Sequence, residues 1–186
     1  MNYHNILSKY GKAFLLLLVI LTVICFEYYI GHNERSVTPL KAGQRFPSIR
    51  VLSLQGKEEP FDARIRRRMV LVIFSTTCIH CLDEMKFWDE YASEVGDSVD
   101  VNAISADDPE STASFVKEHQ IRFPVFTRAS KDVADTLHVR SVPMIFFIDV
   151  ERILRKVIVG NQPNERVIDQ LGEFLREPVI GDTERY

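Results

Sequence analysis

Two cysteines, Cys78 and Cys81, are separated by two residues and come shortly after an apolar run, Met69–Phe74. That run predicts a buried strand, and apolar residues at intervals of three and four from Leu82 to Val95 predict a helix beginning at the cysteines. Unpaired N–H groups and the dipole at a helix N-terminus favour a thiolate, so we expect Cys78 to be a nucleophile. Cys81 lies one turn further along and is expected to attack the resulting mixed disulfide.

Other uses of a C-x-x-C pair compete with a redox dithiol. A structural disulfide across so short a loop would remove little chain entropy. A zinc site needs four ligands, and the third cysteine, Cys25, lies in an apolar N-terminal segment. Two inert buried thiols are a further alternative, and Cu(I), a soft ion, suits Cys78, Cys81 and His80. We expect a redox-active Cys78–Cys81 disulfide, with no metal and no other cofactor.

Two neighbouring side chains are candidates for tuning the pair. An imidazolium at His80 would stabilise a nearby thiolate and favour the reduced form, which makes the disulfide an oxidant. Glu84 lies four residues after His80 and three after Cys81, on the same helix face. As a carboxylate it would keep His80 protonated, and if buried it would carry the proton of Cys81. A solvated helix charge is the third interpretation of Glu84.

The N-terminal part of the chain contains one long apolar segment. Thr22 is the only non-apolar side chain of residues 13–26, and extension to Ile30 gives 18 residues with one charge, Glu27. Eighteen helical residues cover about 27 Å, close to the hydrocarbon thickness of a bilayer. We expect residues 13–30 to be a transmembrane signal anchor.

The charges around this segment predict its orientation. Lys9 and Lys12 precede it, whereas Glu27 and Glu34 follow. Basic side chains favour the cytoplasmic side, so residues 1–12 are expected in the cytoplasm and the chain after Ile30 in the periplasm or another extracytoplasmic space. A cleaved signal peptide is the competing interpretation. It is disfavoured because the residues after the apolar core are large where a cleavage site needs small ones.

The outer part of the chain divides into a linker, a domain and a tail. Residues 31–43 are polar, contain Pro39 and Gly43, and are expected to be the linker, while residues 177–186 form the tail. Residues 44–176 alternate predicted strands and helices, which is typical of a central sheet with helices on both faces. The predicted strands cover 49–54, 69–74, 99–104, 123–126, 144–148 and 152–159, and the predicted helices cover 78–95, 107–119, 131–137 and 165–175.

Two further features lie next to these elements. Asp107 and Asp108 open the helix predicted at 107–119, and both are expected to cap it. Pro143 comes directly before the buried strand predicted at 144–148, where its missing N–H indicates a bend.

Charge excludes one class of partner. The chain carries a net charge of −3, and its longest basic cluster is formed by Arg64, Arg66, Arg67 and Arg68. A nucleic-acid-binding surface needs a larger basic patch, so no nucleic-acid partner is expected.

The segment MVLVIFSTTCIHCLDEM, residues 69–85, resembles the active-site segment of the thioredoxin superfamily. More closely, the chain is similar to the membrane-anchored TlpA/ResA-type redoxins, an AhpC/TSA-like group, over about residues 41–176. AGQRFPSIRVLSLQGK resembles the N-terminal strand extension of that group, and NAISADDPESTASFVKEHQIRFPVF resembles its inserted strand–helix segment. SVPMIFFID is similar to its cis-proline loop, and Gly160 resembles the glycine that closes its last hairpin.

This resemblance implies a thioredoxin-like α/β fold, with a mixed sheet flanked by helices. It also implies roles for the residues of the cysteine motif and of the proline loop. Cys78 is then the attacking thiol, Cys81 the resolving thiol, and Val142–Pro143 a cis-peptide wall that faces the substrate. Glu84 falls where some members have a functional acid. Such proteins reduce disulfides of exported proteins outside the membrane, including those of apocytochromes c, with electrons from a membrane thiol carrier.

Departures from the family pattern leave the direction of electron flow open. Ser75, Thr76 and Thr77 occupy the stretch where the family has a tryptophan before the first cysteine. His80 resembles the residue found at this point in the oxidising DsbA and disulfide-isomerase types.

Because the redoxin group includes peroxiredoxins, a thiol-dependent peroxidase is an alternative, although Leu71 stands where they have a proline. A metallochaperone that binds Cu(I) is the second alternative function.

Overall fold

The computed structural model describes residues 15–25, 40–95, 98–130 and 132–177. The chain divides into two compact units, Met1–Thr38 and Pro39–Tyr186. In the first unit, residues 15–25 are helical and their side chains are exposed. No helix within the described ranges has both the length and the apolar character that crossing a membrane requires. The anchor expected at 13–30, the linker and the tail lie partly outside the described residues.

The second unit is built on a mixed sheet of seven strands within the described ranges, in the order β2-β1-β5-β4-β3-β6-β7. The central strand β3 is parallel to β4 and antiparallel to β6, and β4 is parallel to β5. The strands are β1 (Arg50–Ser53), β2 (Glu58–Pro60), β3 (Met69–Phe74), β4 (Asp100–Ser105), β5 (Val125–Arg128), β6 (Met144–Ile148) and β7 (Leu154–Val159).

Helices cover both faces of this sheet. The helices are α1 (Ile79–Val95), α2 (Pro109–Glu118), α3 (Asp132–Thr136) and α4 (Asn164–Arg176), with a 3-10 turn at Phe61–Arg64. Successive residues of a strand point to opposite faces, so every residue of β3 is buried in one of two cores. One core contains buried side chains of α1, α2 and α4, and the other contains those of α3 and the 3-10 turn. The predicted α/β class is therefore confirmed.

Most predicted elements are present, and the differences have local causes. The strand predicted at 123–126 lies at Val125–Arg128. It begins after Pro124 because proline has no backbone N–H to donate to a neighbouring strand. The strand predicted from residue 152 begins at Leu154, because Arg152 has a left-handed φ of 65° and belongs to the preceding turn. β2 was not predicted, since two of its three residues are glutamates at an exposed sheet edge.

Candidate active site

Strand register brings the cysteine segment and the proline loop to one edge of the sheet. Ile73, near the end of β3, pairs with Met144 at the start of β6. Because these strands are antiparallel, the residues that follow β3 lie beside the residues that precede β6. β4 is parallel to β3 and ends at the same edge, where Ser105 pairs with Phe74. Three loops therefore meet around Cys78.

Cys78 lies directly before the first residue of α1 and is partly buried. Its sulfur accepts the backbone N–H of Cys81 at 3.3 Å, much as a side-chain oxygen caps a helix. The Cys78 thiol in turn donates to the carbonyl oxygen of Val142 at 3.8 Å. These two bonds hold the Cys78 sulfur between the first turn of α1 and the loop that contains Val142.

Cys81 has a different environment one turn further into the helix. It is completely buried among apolar side chains, and neither thiol is in a disulfide. Burial raises the pKa of Cys81 to about 12, assisted by its hydrogen bond with Cys78 and by the charges of Cys78 and Glu84. The second thiol therefore stays protonated at neutral pH, and its proton must be removed before the sulfur attacks.

Glu84 is buried, with only 3% of its surface exposed. The indole Nε1–H of Trp88 donates to Glu84 Oε1 at 2.7 Å, and Trp88 is fully buried. Burial raises the pKa of Glu84, and the hydrogen bond from Trp88 partly opposes that rise. The solvated helix charge is therefore excluded for Glu84, and its role as a proton carrier for Cys81 stays a prediction.

The raised pKa of Glu84 makes the free energy of unfolding depend on pH. Between the ordinary glutamate pKa and its raised value in the fold, the folded state binds more protons than the unfolded state. In that window Glu84 lowers the free energy of unfolding by about 1.4 kcal/mol per pH unit as pH rises. Glu84→Gln removes this slope, and chemical denaturation from pH 4 to 8 measures it. Glu90→Gln, an exposed change on the same helix, is the control. Parallel curves for wild type and Glu84→Gln would contradict this assignment.

The turn before Cys78 is held by a carboxylate from the end of β4. Asp107 Oδ2 accepts the backbone N–H of Thr76 at 2.6 Å, and its Oδ1 accepts the hydroxyl of Ser75 at 3.4 Å. The prediction that Asp107 caps the next helix is therefore wrong. Asp108 alone does so, accepting the N–H of Ser111 at 2.9 Å. Sequence reasoning missed the role of Asp107 because its partner lies 31 residues away.

The proline loop forms the opposite side of the site. The Val142–Pro143 peptide bond is cis, and the Pro143 carbonyl accepts the N–H of Gly160 at 2.8 Å. Gly160 has a φ of 77°, which glycine adopts without a steric penalty. Next to Cys78, Ile79 is 73% exposed and forms an apolar surface. The Val142 carbonyl of this loop thus lies against the Cys78 sulfur, and the exposed Ile79 follows Cys78 in the chain.

His80 is not brought into this arrangement. Its side chain is exposed, and the described residues contain no hydrogen bond or ion pair between His80 and Glu84. The carboxylate of Glu84 accepts from Trp88 instead. Trp88 is one of the apolar residues whose spacing between Leu82 and Val95 predicts the helix. Its position four residues after Glu84 was the signal that it could also bond to that acid.

The two large surface clefts lie away from the cysteines, and the described residues contain no cluster of metal ligands. Two surface clefts of about 540 and 590 Å³ are lined by other residues, and neither contains Cys78 or Cys81. Within the described ranges, no three or more His, Cys, Asp or Glu side chains are placed to hold a metal ion.

Comparison with known proteins places these features in a family. The model of the AhpC/TSA family matches residues 42–157. The thiol-disulfide oxidoreductase ResA of Bacillus thuringiensis subsp. konkukian is 26% identical over 165 residues, which cover 88% of this chain and 92% of that protein.

Solved structures share the fold. A putative thiol:disulfide interchange protein DsbE from Chlorobium tepidum has a TM-score of 0.67 at 17% identity, covering 73% of this chain and 99% of that one. Peroxidoxin BcpB from Mycobacterium tuberculosis has a TM-score of 0.65 at 19% identity, covering 74% and 97%. The fold is thus thioredoxin-like, and the resemblance to TlpA/ResA-type redoxins is confirmed.

Proposed function

The chain belongs to the AhpC/TSA family, and we propose that this thiol–disulfide oxidoreductase is tethered outside a cytoplasmic membrane and reduces disulfides of exported proteins. The observation that carries the proposal is the unequal environment of its two thiols. Cys78 is partly exposed at a helix N-terminus, whereas Cys81 is buried one turn inside. An accessible nucleophile and a protected second thiol are what a two-step exchange needs.

In the first step, the Cys78 thiolate attacks one sulfur of the substrate disulfide. A bond forms between Cys78 and that sulfur, and the other substrate sulfur leaves as a thiolate. In the second step, Cys81 gives its proton to the Glu84 carboxylate and attacks the Cys78 sulfur. The second substrate thiolate then leaves, the protein has lost two electrons as a Cys78–Cys81 disulfide, and the substrate has gained them.

The environment of the two cysteines supports a protein that reduces its substrates rather than one that oxidises them. A protein disulfide is a strong oxidant when its reduced form is stabilised, as by cations around a thiolate. Here His80 is exposed, and burial raises the pKa of Cys81 to about 12, so the second cysteine contributes no thiolate at neutral pH. The raised pKa of Cys81 means that no second thiolate stabilises the reduced pair, and the family resemblance implies the same direction of electron flow.

The proposed substrates are extended disulfide-bearing segments, including the C-x-x-C-H haem-attachment segments of apocytochromes c. Cys78 is partly exposed and is followed by Ile79, which is 73% exposed and offers an apolar contact to a substrate segment. The apolar segment at residues 13–30 supports a membrane tether. A membrane dithiol protein is the proposed electron donor, because each cycle needs two electrons to restore the Cys78 and Cys81 thiols.

A direct test uses the full chain in detergent, with an oxidised peptide that contains C-x-x-C-H. We expect the reduced protein to reduce this peptide stoichiometrically, and to reduce it catalytically when dithiothreitol is present. An unchanged peptide disulfide would overturn the proposal. Consumption of hydrogen peroxide at the expense of the dithiol, without peptide reduction, would support the peroxidase alternative instead.

A further inference from the structure

Trp88 lies outside the dithiol motif but contacts the acid proposed to serve it. It is the single tryptophan of the chain. Its indole Nε1–H donates to Glu84 Oε1 at 2.7 Å, and both side chains are buried. A buried indole N–H needs a partner, and a buried carboxylate needs donors, so the bond restrains both groups.

The proposed proton transfer depends on where that carboxyl points. Glu84 follows Cys81 by three residues on α1, and side chains at this spacing are neighbours, with Cβ atoms about 5–6 Å apart. Trp88 follows Glu84 by four residues on the same helix. Its ring is further fixed by edge contacts with Phe87, Tyr91 and Phe147. A rigid donor thus restrains one oxygen of Glu84 and leaves the other without a hydrogen bond among the described residues, while the Glu84 charge acts on Cys81.

Few other titratable groups reach this cluster. Phe147 of β6 contacts the Trp88 ring, and Phe74, Phe147 and Phe174 belong to the same buried apolar cluster as Cys81 and Trp88. Tyr91, on the same helix, touches the Trp88 ring, and Cys78 interacts with Cys81. The indole N–H is thus the only hydrogen-bond donor found for the Glu84 carboxylate in the described part of the chain.

We propose that Trp88 is a positioning residue which, through its hydrogen bond, holds the Glu84 carboxylate ionised and oriented to take the proton of Cys81. The inference rests on the proposed dithiol function. Without the indole donor, burial acts unopposed and the pKa of Glu84 rises further, so a smaller fraction of Glu84 is the carboxylate that Cys81 needs as a base.

Reaction with 5,5′-dithiobis(2-nitrobenzoate) separates the two chemical steps. The Cys78 thiolate displaces one coloured thiolate and leaves a mixed disulfide. Cys81 then attacks Cys78, its proton passes to Glu84, and a second coloured thiolate is released. Because Cys25 is also a free thiol, the experiment uses the full chain with Cys25→Ser in every variant.

Trp88→Phe keeps an aromatic ring and removes the donor. We expect its second phase to be slower by about tenfold at neutral pH, the usual effect of one lost hydrogen bond to a charged group. We also expect its pH–rate midpoint to rise by about one unit, while the first phase is unchanged. Met85→Leu, a buried change on the same helix with no bond to Glu84, is the control and keeps the wild-type profile. In a Glu84→Gln background, Trp88→Phe should have no further effect on the second phase.

Two results separate the hypotheses. A wild-type chain without a second phase would overturn the proposed dithiol function. A wild-type chain with both phases, and a Trp88→Phe variant with the same pH profile, would overturn the role of Trp88 alone.

A measurement on the unchanged ring covers the case in which Trp88→Phe does not fold. The single indole N–H resonance of the ¹⁵N-labelled chain should titrate with Glu84, and this titration should vanish in Glu84→Gln. An indole resonance that does not respond to pH would overturn the proposal.

Discussion

Replacing Cys78 by alanine is expected to reduce the rate of disulfide reduction to that of the dithiol reagent alone, a loss of more than about 10³-fold. Cys78 is the only partly exposed thiol at the site, and its sulfur receives the backbone N–H of Cys81 at 3.3 Å. Cys81 cannot substitute for it, because Cys81 is completely buried and burial raises its pKa to about 12. Turbidity from reduced insulin, with dithiothreitol as donor, measures the rate.

The third cysteine supplies the matched control for this variant. Cys25 is exposed in the helix at residues 15–25 and belongs to the other compact unit of the chain. Cys25→Ala should keep the full rate. Undiminished insulin reduction by Cys78→Ala would remove the basis for calling this dithiol the active site.

Cys81→Ala is expected to give a different defect, the accumulation of a stable mixed disulfide on Cys78. The first attack remains possible, but release then depends on an external thiol. A neighbouring group one helical turn away acts at an effective concentration far above that of such a thiol, so we expect turnover to fall by about 10²-fold or more. Mass spectrometry under non-reducing conditions should find one substrate peptide on each protein chain.

The double variant Cys78→Ala/Cys81→Ala is the control for trapping and should carry no peptide. A Cys81→Ala chain that turns over at the wild-type rate, with no trapped species, would show that Cys78 acts without an internal resolving thiol. That result would favour a one-cysteine chemistry and count against the two-step exchange.

Local pattern predicted much of this fold. The strands Met69–Phe74 and Met144–Ile148 are completely buried, so their apolar runs identify them without reference to neighbours. The cysteines were placed at the start of α1 for a similar reason, since a buried strand, a polar turn and an amphipathic helix follow one another. β2 escaped prediction because its hydrogen-bonding partner, not its composition, makes it a strand.

The site was less predictable where it depends on residues far apart in sequence. The link between Asp107 and Thr76 follows from strand order, which the sequence alone does not specify, and the approach of Val142 to Cys78 was expected only from the family resemblance. The environment of Glu84 was also undecided, because helical spacing places it near both His80 and Cys81. Only packing against the sheet reveals that Glu84 is buried and bonded to Trp88.

The most direct test of the central claim is the reduction potential of the Cys78–Cys81 pair. The full chain carrying Cys25→Ser is equilibrated in dithiothreitol redox buffers, and its free thiols are counted by alkylation and mass spectrometry. The account predicts one reversible two-electron transition, in which both thiols are lost together, near the thioredoxin value of about −270 mV. A value near about −120 mV would contradict the proposed direction of electron flow. Two thiols that remain alkylatable in every buffer would contradict the dithiol chemistry itself.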